Sequence, residues 1–76
     1  MTTVEFDNVW KADDFKPFRI HTANGRTFDV PHRDFTWRSP GGRTIYVATS
    51  PRGAISSLDL LTVTELEQIE SDTEAA

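Results

Sequence analysis

Phe18-Arg19-Ile20-His21-Thr22-Ala23-Asn24-Gly25-Arg26-Thr27-Phe28-Asp29-Val30 is the stretch that decides the fold. Apolar and polar side chains alternate on both sides of Asn24-Gly25, the period of a strand with one buried face. A two-residue loop at Asn24-Gly25, the commonest hairpin connection, would pair Thr22 with Thr27 and Ile20 with Asp29. Phe28 would then share a face with His21. A three-residue loop, Ala23-Asn24-Gly25, pairs Thr22 with Arg26, Ile20 with Phe28 and Phe18 with Val30, so the apolar side chains coincide. A slip of one residue inverts the faces of a strand, so burial selects the second pairing. The turn is then type I, with Gly25 in the left-handed region as the bulge residue.

Outward from that hairpin the pattern repeats. Phe35-Thr36-Trp37-Arg38-Ser39 and Arg43-Thr44-Ile45-Tyr46-Val47-Ala48-Thr49 flank Pro40-Gly41-Gly42. The same loop length pairs Ser39 with Arg43, Trp37 with Ile45 and Phe35 with Val47, with Gly42 as the bulge. Pro31 ends the second strand because it has no N–H to donate. Pro31-His32-Arg33-Asp34 reads as a turn or a single helical turn. Ser50-Pro51-Arg52-Gly53 is a third turn, followed by a fifth strand from about Ala54 to Leu60 whose register the alternation leaves open. Leu60-Leu61-Thr62-Val63-Thr64 either ends that strand or begins a sixth. Leu66 and Ile69, three apart, fit a final helical turn.

At the other end, Val4 and Phe6 suit an extended entry. Phe6, Val9 and Trp10 suit a helical face with Asp7 as N-cap. The reading is an extended entry followed by one or two helical turns near Asn8–Asp14. Residues 70–76 carry charge and no large apolar group, so they are expected to form a disordered acidic tail beyond a single domain over residues 1–69. The expected fold is β-dominated, all-β or α+β. It is a meander of about five antiparallel strands, as an SH3-like or Sm-like small barrel or a bent sheet, with a short N-terminal helical segment. The expected core is Phe18, Ile20, Phe28, Val30, Phe35, Trp37, Ile45, Val47 and Leu58, with Leu60 or Leu61 beside them. Arg19, His21, Arg26 and Arg38 are expected to be exposed.

A chain of 76 residues buries only about 60% of its unfolded surface and has a thin core. It has no Cys, which removes disulfides, thiolate zinc sites and thiol chemistry together and suits a reducing compartment. No apolar run reaches the ~20 residues of a bilayer span. The first residues lack the basic and apolar regions of a signal peptide, so cytoplasm is expected. The net charge of −4 is unevenly placed. Residues 15–52 hold seven bases against two acids, a net of +5, while residues 53–76 hold six acids and no Lys or Arg. The simple reading is a solvated surface with a solubilising tail. The sharper one is a basic face that meets an anionic partner or the tail itself.

Phe15-Lys16-Pro17-Phe18-Arg19-Ile20-His21-Thr22-Ala23-Asn24-Gly25-Arg26-Thr27-Phe28-Asp29-Val30-Pro31-His32 resembles a family of short, uncharacterised bacterial proteins frequent in planctomycetes. Its pattern is Pro-Phe, a short apolar strand, Asp/Asn-Gly-Arg, an aromatic, Val and a His-centred turn. Ser39-Pro40-Gly41-Gly42-Arg43-Thr44 and Asp59-Leu60-Leu61-Thr62-Val63-Thr64 resemble it too. The likeness covers roughly residues 15–64 and implies a shared fold, with no activity to carry over. Members of that family start with a fuller helix, from which the shorter, acidic N-terminus departs.

The candidate chemistry is sparse. His21, His32 and Asp34 are the residues that a metal site would draw on, but their spacing is looser than dedicated zinc motifs show. His32-Arg33-Asp34 is more simply an exposed turn with Asp34 capping an amide. Ser39, Ser50, Ser56 and Ser57 sit in no nucleophile signature, and turn initiation explains Ser39 and Ser50 before Pro. Asp13-Asp14 lies in a polar stretch with nothing to raise a carboxyl pKa. Gly41-Gly42 is too short for a phosphate loop. No enzyme, cofactor or metal is expected, and no membrane partner. Arg19, Arg26, Arg38 and Arg43 are the candidate anion-binding residues. With Trp37 and Tyr46 as stacking faces they suit RNA or single-stranded DNA, against which stand a negative overall charge and the need for aromatics in the core. The leading expectation is a non-enzymatic module for protein–protein interaction or self-association, because a small open sheet presents edges.

Overall fold

The computed structural model describes residues 1–49 and 53–69; residues 50–52 of the third turn and the expected tail at 70–76 lie outside the described residues. A helix α1 (Thr3–Trp10) precedes strands β1 (Phe18–Thr22), β2 (Thr27–Val30), β3 (Thr36–Arg38), β4 (Thr44–Ala48), β5 (Ile55–Asp59) and β6 (Val63–Gln68). Short 3₁₀ turns at Arg33–Phe35 and Leu60–Thr62 lead into β3 and β6. The six strands form two antiparallel sheets, ordered β2-β1-β6 and β3-β4-β5. Their inner faces share one core: Phe18, Ile20, Phe28, Val30 and Val63 from the first sheet, Ile45 and Val47 from the second, with Phe6 and Leu60. The fold is therefore β-dominated and takes the bent-sheet form. The sheets are not closed into a barrel, so edges remain open.

The first hairpin has the expected register: Phe18 faces Val30 and Ile20 faces Phe28. Thr22 N donates to Arg26 O at 3.0 Å and Gly25 N to Thr22 O at 3.0 Å, closing the three-residue loop. Gly25 has φ +85°, and a Cβ placed there would meet nothing within 4 Å. A Gly25→Ala change therefore costs backbone strain alone. It is expected to destabilise the fold by about 1 kcal/mol, read as an earlier urea midpoint with an unchanged slope. A midpoint at or above the parent's would refute this account of the turn.

The second hairpin departs from the sequence reading by one residue. Thr36 faces Val47, Trp37 faces Tyr46 and Arg38 faces Ile45. Ser39 N donates to Thr44 O at 2.9 Å, so the loop holds four residues, 40–43, rather than three. The glycine with positive φ is Gly41, at +69°, and not Gly42. The shift turns Thr36 into the core, 1% exposed, where its hydroxyl donates to Tyr46 O at 2.8 Å and is satisfied. Phe35 leaves the strand for the 3₁₀ turn and is half-buried. Trp37, expected inside, is 38% exposed. Leu58 is half-buried opposite Ile45, Leu60 is buried and Leu61 is exposed.

Val63–Gln68 is a full strand beside β1, with Leu66 opposite Ile20, so the expected final helical turn does not form there. At the N-terminus the extended entry gives way to helix. Thr2 is the N-cap: its hydroxyl accepts from Glu5 N while the Glu5 carboxylate accepts from Thr2 N, a reciprocal capping box. The bonds that Thr2 N and Oγ1 donate to the Glu5 carboxylate hold it below its ordinary pKa. Asp7 lies inside the helix and caps nothing, and the helix ends at Trp10, before Asp13 and Asp14. The apolar face is as expected, with Phe6 fully buried against Phe18, ring centroids 6.4 Å apart and edge-on. Arg33 locks the helix end, donating to Trp10 O at 3.0 Å and to Ala12 O, while Trp10 Nε1 donates to Arg33 O at 3.1 Å.

Candidate interaction surface

Strand pleating gives each sheet an outer face, and the two differ in chemistry. On β4, Ile45 and Val47 point inward, so Thr44, Tyr46 and Ala48 point out. The same parity directs Trp37 outward on β3, and Ile55, Ser57 and Asp59 outward on β5. Trp37, Tyr46 and Ser57 thus form one row across the second sheet. The Trp37 and Tyr46 rings stack at 5.7 Å between centroids and 28° between planes. Ile55, 54% exposed, adds an aliphatic side chain beside them. The face thus carries an aromatic and aliphatic group, with Thr44, Ser57 and Asp59 along its β4 and β5 rows.

The outer face of the first sheet is ionic. Arg19 grips Asp29 with two bonds, Nε to Oδ1 at 2.6 Å and Nη2 to Oδ2 at 3.2 Å. His21 Nε2 lies 2.8 Å from Glu67 Oε1. The Arg19 hydrogen bond holds the Asp29 carboxyl below its ordinary pKa, against a smaller opposing push from desolvation. The Arg19 and Asp29 charges answer each other within the sheet.

The four candidate arginines do not form one site. Arg19, in its ion pair with Asp29, and His21, beside Glu67, are half-buried rather than exposed. Arg38, also expected outside, turns inward with its side chain 15% exposed and binds Asp7 through two bonds. It is held in the fold and does not face outward. Arg26 is exposed at the first hairpin, its guanidinium 4.8 Å above the Phe28 ring. Arg43 is exposed at the end of the second turn. Among the described residues no three His, Cys, Asp or Glu side chains converge. His32 packs beside Phe35, 5.7 Å between ring centroids, and not beside His21. An open cleft of about 430 Å³ runs between β2, Pro31, Phe35 and the end of β4, with the Arg19–Asp29 pair on its rim.

The aromatic face was hidden in the sequence because Trp37 alternates correctly with Ile45 under a three-residue loop. The signal for the alternative was the second glycine: Gly41-Gly42 allows the left-handed residue at either position. Ile55 gave no signal beyond its poor alternation with Leu58. No helix among the described residues is long and apolar enough to cross a membrane. The chain matches no family model, no curated protein and no solved structure.

Proposed function

We propose that the protein is a non-enzymatic binding module that associates with other polypeptide chains, its own copies included, through the outer face of the second sheet. The stacked Trp37–Tyr46 pair, with Trp37 exposed and Tyr46 half-buried, carries this reading. Tyr and Trp are the side chains that most often anchor interfaces, because they offer large rigid contact area at low entropic cost. Needing neither metal nor cofactor, such a module acts by burial alone. A cytoplasmic location belongs to the same proposal, since a chain without Cys suits a reducing compartment.

The test compares immobilised parent with Trp37→Ala, two baits expected to melt alike because Trp37 lies outside the core. Both are challenged with lysate, untreated and nuclease-treated, at low and high salt. Proteins retained by the parent should persist in high salt, where apolar contacts survive, and fall at least about tenfold on Trp37→Ala, the scale of an interface anchor. Equal retention by both baits would refute the face. The same rings are chemically able to stack nucleobases, and the exposed Arg26 and Arg43 would be the cations nearest to free. Retention of RNA or single-stranded DNA that falls steeply with salt, and is lost when Arg26 and Arg43 are replaced, would move the function there instead.

A further inference from the structure

We propose that β5 is a self-association edge: two copies pair β5 to β5, antiparallel about a two-fold axis at Ser57, into one six-stranded sheet. The proposal rests on the interaction reading of the second sheet and names its partner as a second copy of this chain.

The hydrogen-bond phase of β5 is fixed at both ends. Thr49 N donates to Ala54 O at 2.9 Å, and Leu60 N donates to Arg43 O at 2.8 Å. Bonded and non-bonded pairs alternate along an antiparallel ladder, so Ser56 and Leu58 exchange bonds with Val47 and Ile45. Ile55, Ser57 and Asp59 then direct their N–H and C=O groups away from β4. Since β5 is the outer strand of its sheet, those groups line the edge. An unpaired extended backbone is completed by another extended backbone.

The identity of that strand follows from charge. Edges are ordinarily guarded by charged residues, proline or short length. The edge β6 carries Glu65 and Glu67, which would face like charges in a second copy. The edge β2 carries Asp29 and stops at Pro31. The edge β3 has three residues. Among the described edges only β5, through Ile55-Ser56-Ser57-Leu58, presents four successive residues with no charge and no proline, in a chain that is 26% charged. Centred on Ser57, the antiparallel register sets Ile55 opposite the second copy's Asp59. The two Asp59 carboxylates sit at opposite ends of the ladder, roughly 13 Å apart along the strands and beyond a Debye length of about 8 Å. Each is also engaged at home, accepting from Leu61 N at 2.9 Å. The same register runs the Trp37–Tyr46–Ser57 row across the axis into its symmetry mate, so the aromatic face doubles in length.

A five-residue edge buries less than the ~1,200 Å² of a standard interface, so the expected Kd is roughly micromolar. Sedimentation velocity over about 1–500 µM brackets that range. The parent should pass from monomer to dimer. Ser57→Pro removes an N–H that points away from β4, so it should be monomeric throughout with unaltered circular dichroism. Ser57→Lys places two ammonium groups face to face on the axis and should also be monomeric. Mixed with Ser57→Glu it should re-form a heterodimer. A parent that stays monomeric, or a Ser57→Pro chain that dimerises like the parent, overturns the proposal. A monomeric parent whose protein capture still depends on Trp37 would sink the dimer and leave the aromatic face standing. A Ser57-dependent dimer without Trp37-dependent capture would do the reverse.

Discussion

Phe6→Ala is expected to lower the unfolding free energy by about 3–5 kcal/mol, the range for emptying a buried aromatic site. Phe6 is 0% exposed and is the one residue of α1 that is fully buried. It packs edge-on against Phe18 and tilted against Trp10, 6.4 and 5.7 Å between centroids. A domain of 76 residues holds roughly 4–11 kcal/mol in total, so this one change removes a large share of it. The helix adds one more large side chain to the core that the two sheets share. Phe6→Leu, which keeps most of the volume, should cost about 1.5 kcal/mol or less. Urea unfolding of the pair checks both values. A loss under about 1 kcal/mol for Phe6→Ala, far below the cavity range, would mean that α1 is an ornament on an already complete core.

Arg38→Ala should lower the melting temperature on the order of ten degrees, a large shift for a domain of this size. The Arg38 guanidinium spans three elements. Nε and Nη2 donate to the two Asp7 oxygens at 3.0 and 2.7 Å, and Nη1 donates to Gly42 O at 2.9 Å and Ser39 O at 3.3 Å. It joins α1, the end of β3 and the second turn, and its removal strands the half-buried Asp7 carboxylate. The hydrogen bond from Arg38 lowers the Asp7 pKa, outweighing the rise that desolvation would cause. A carboxyl with a depressed folded pKa contributes stability above its unfolded pKa and loses it as pH falls through the folded value. Asp29 adds the same sign through Arg19. Melting temperature should therefore be flat near neutrality and fall below about pH 4. Asp7→Asn, less stable at pH 7, should show a shallower acid limb than the parent. An unchanged limb would assign the acid response to other carboxyls.

How much of this was legible in the sequence depended on distance along the chain. The first hairpin could be read because Phe18, Ile20, Phe28 and Val30 leave a single register with one apolar face. The second could not, because a three-residue and a four-residue loop both give a sensible face. The choice falls to Thr36, whose hydroxyl finds Tyr46 O inside the core. No pattern of hydropathy announces that a polar residue will be satisfied there. Arg38 follows the same logic: a charge on a strand reads as exposed until its partner, 31 residues earlier, is in view. The helix start is readable, since Thr2-Thr3-Val4-Glu5 is a capping-box sequence, with Thr2 and not Asp7 as the cap. The edge chemistry of β5 needed the ladder phase, which exists only once β4 and β5 are paired.

The central position of β1 has a consequence for how the chain folds. One of its partners, β2, arrives across a three-residue loop. The other, β6, lies 41 to 50 residues away, from Thr22–Val63 to Phe18–Gln68. Loop-closure entropy must be met before that distant ladder returns any stabilisation, which places the domain among slow, high-contact-order folders, in milliseconds to seconds rather than microseconds. During synthesis the first hairpin can form early, but the first sheet stays two-stranded until residue 68 has left the ribosome. Through that interval the β1 edge later covered by β6 is bare, and open to pairing with another chain.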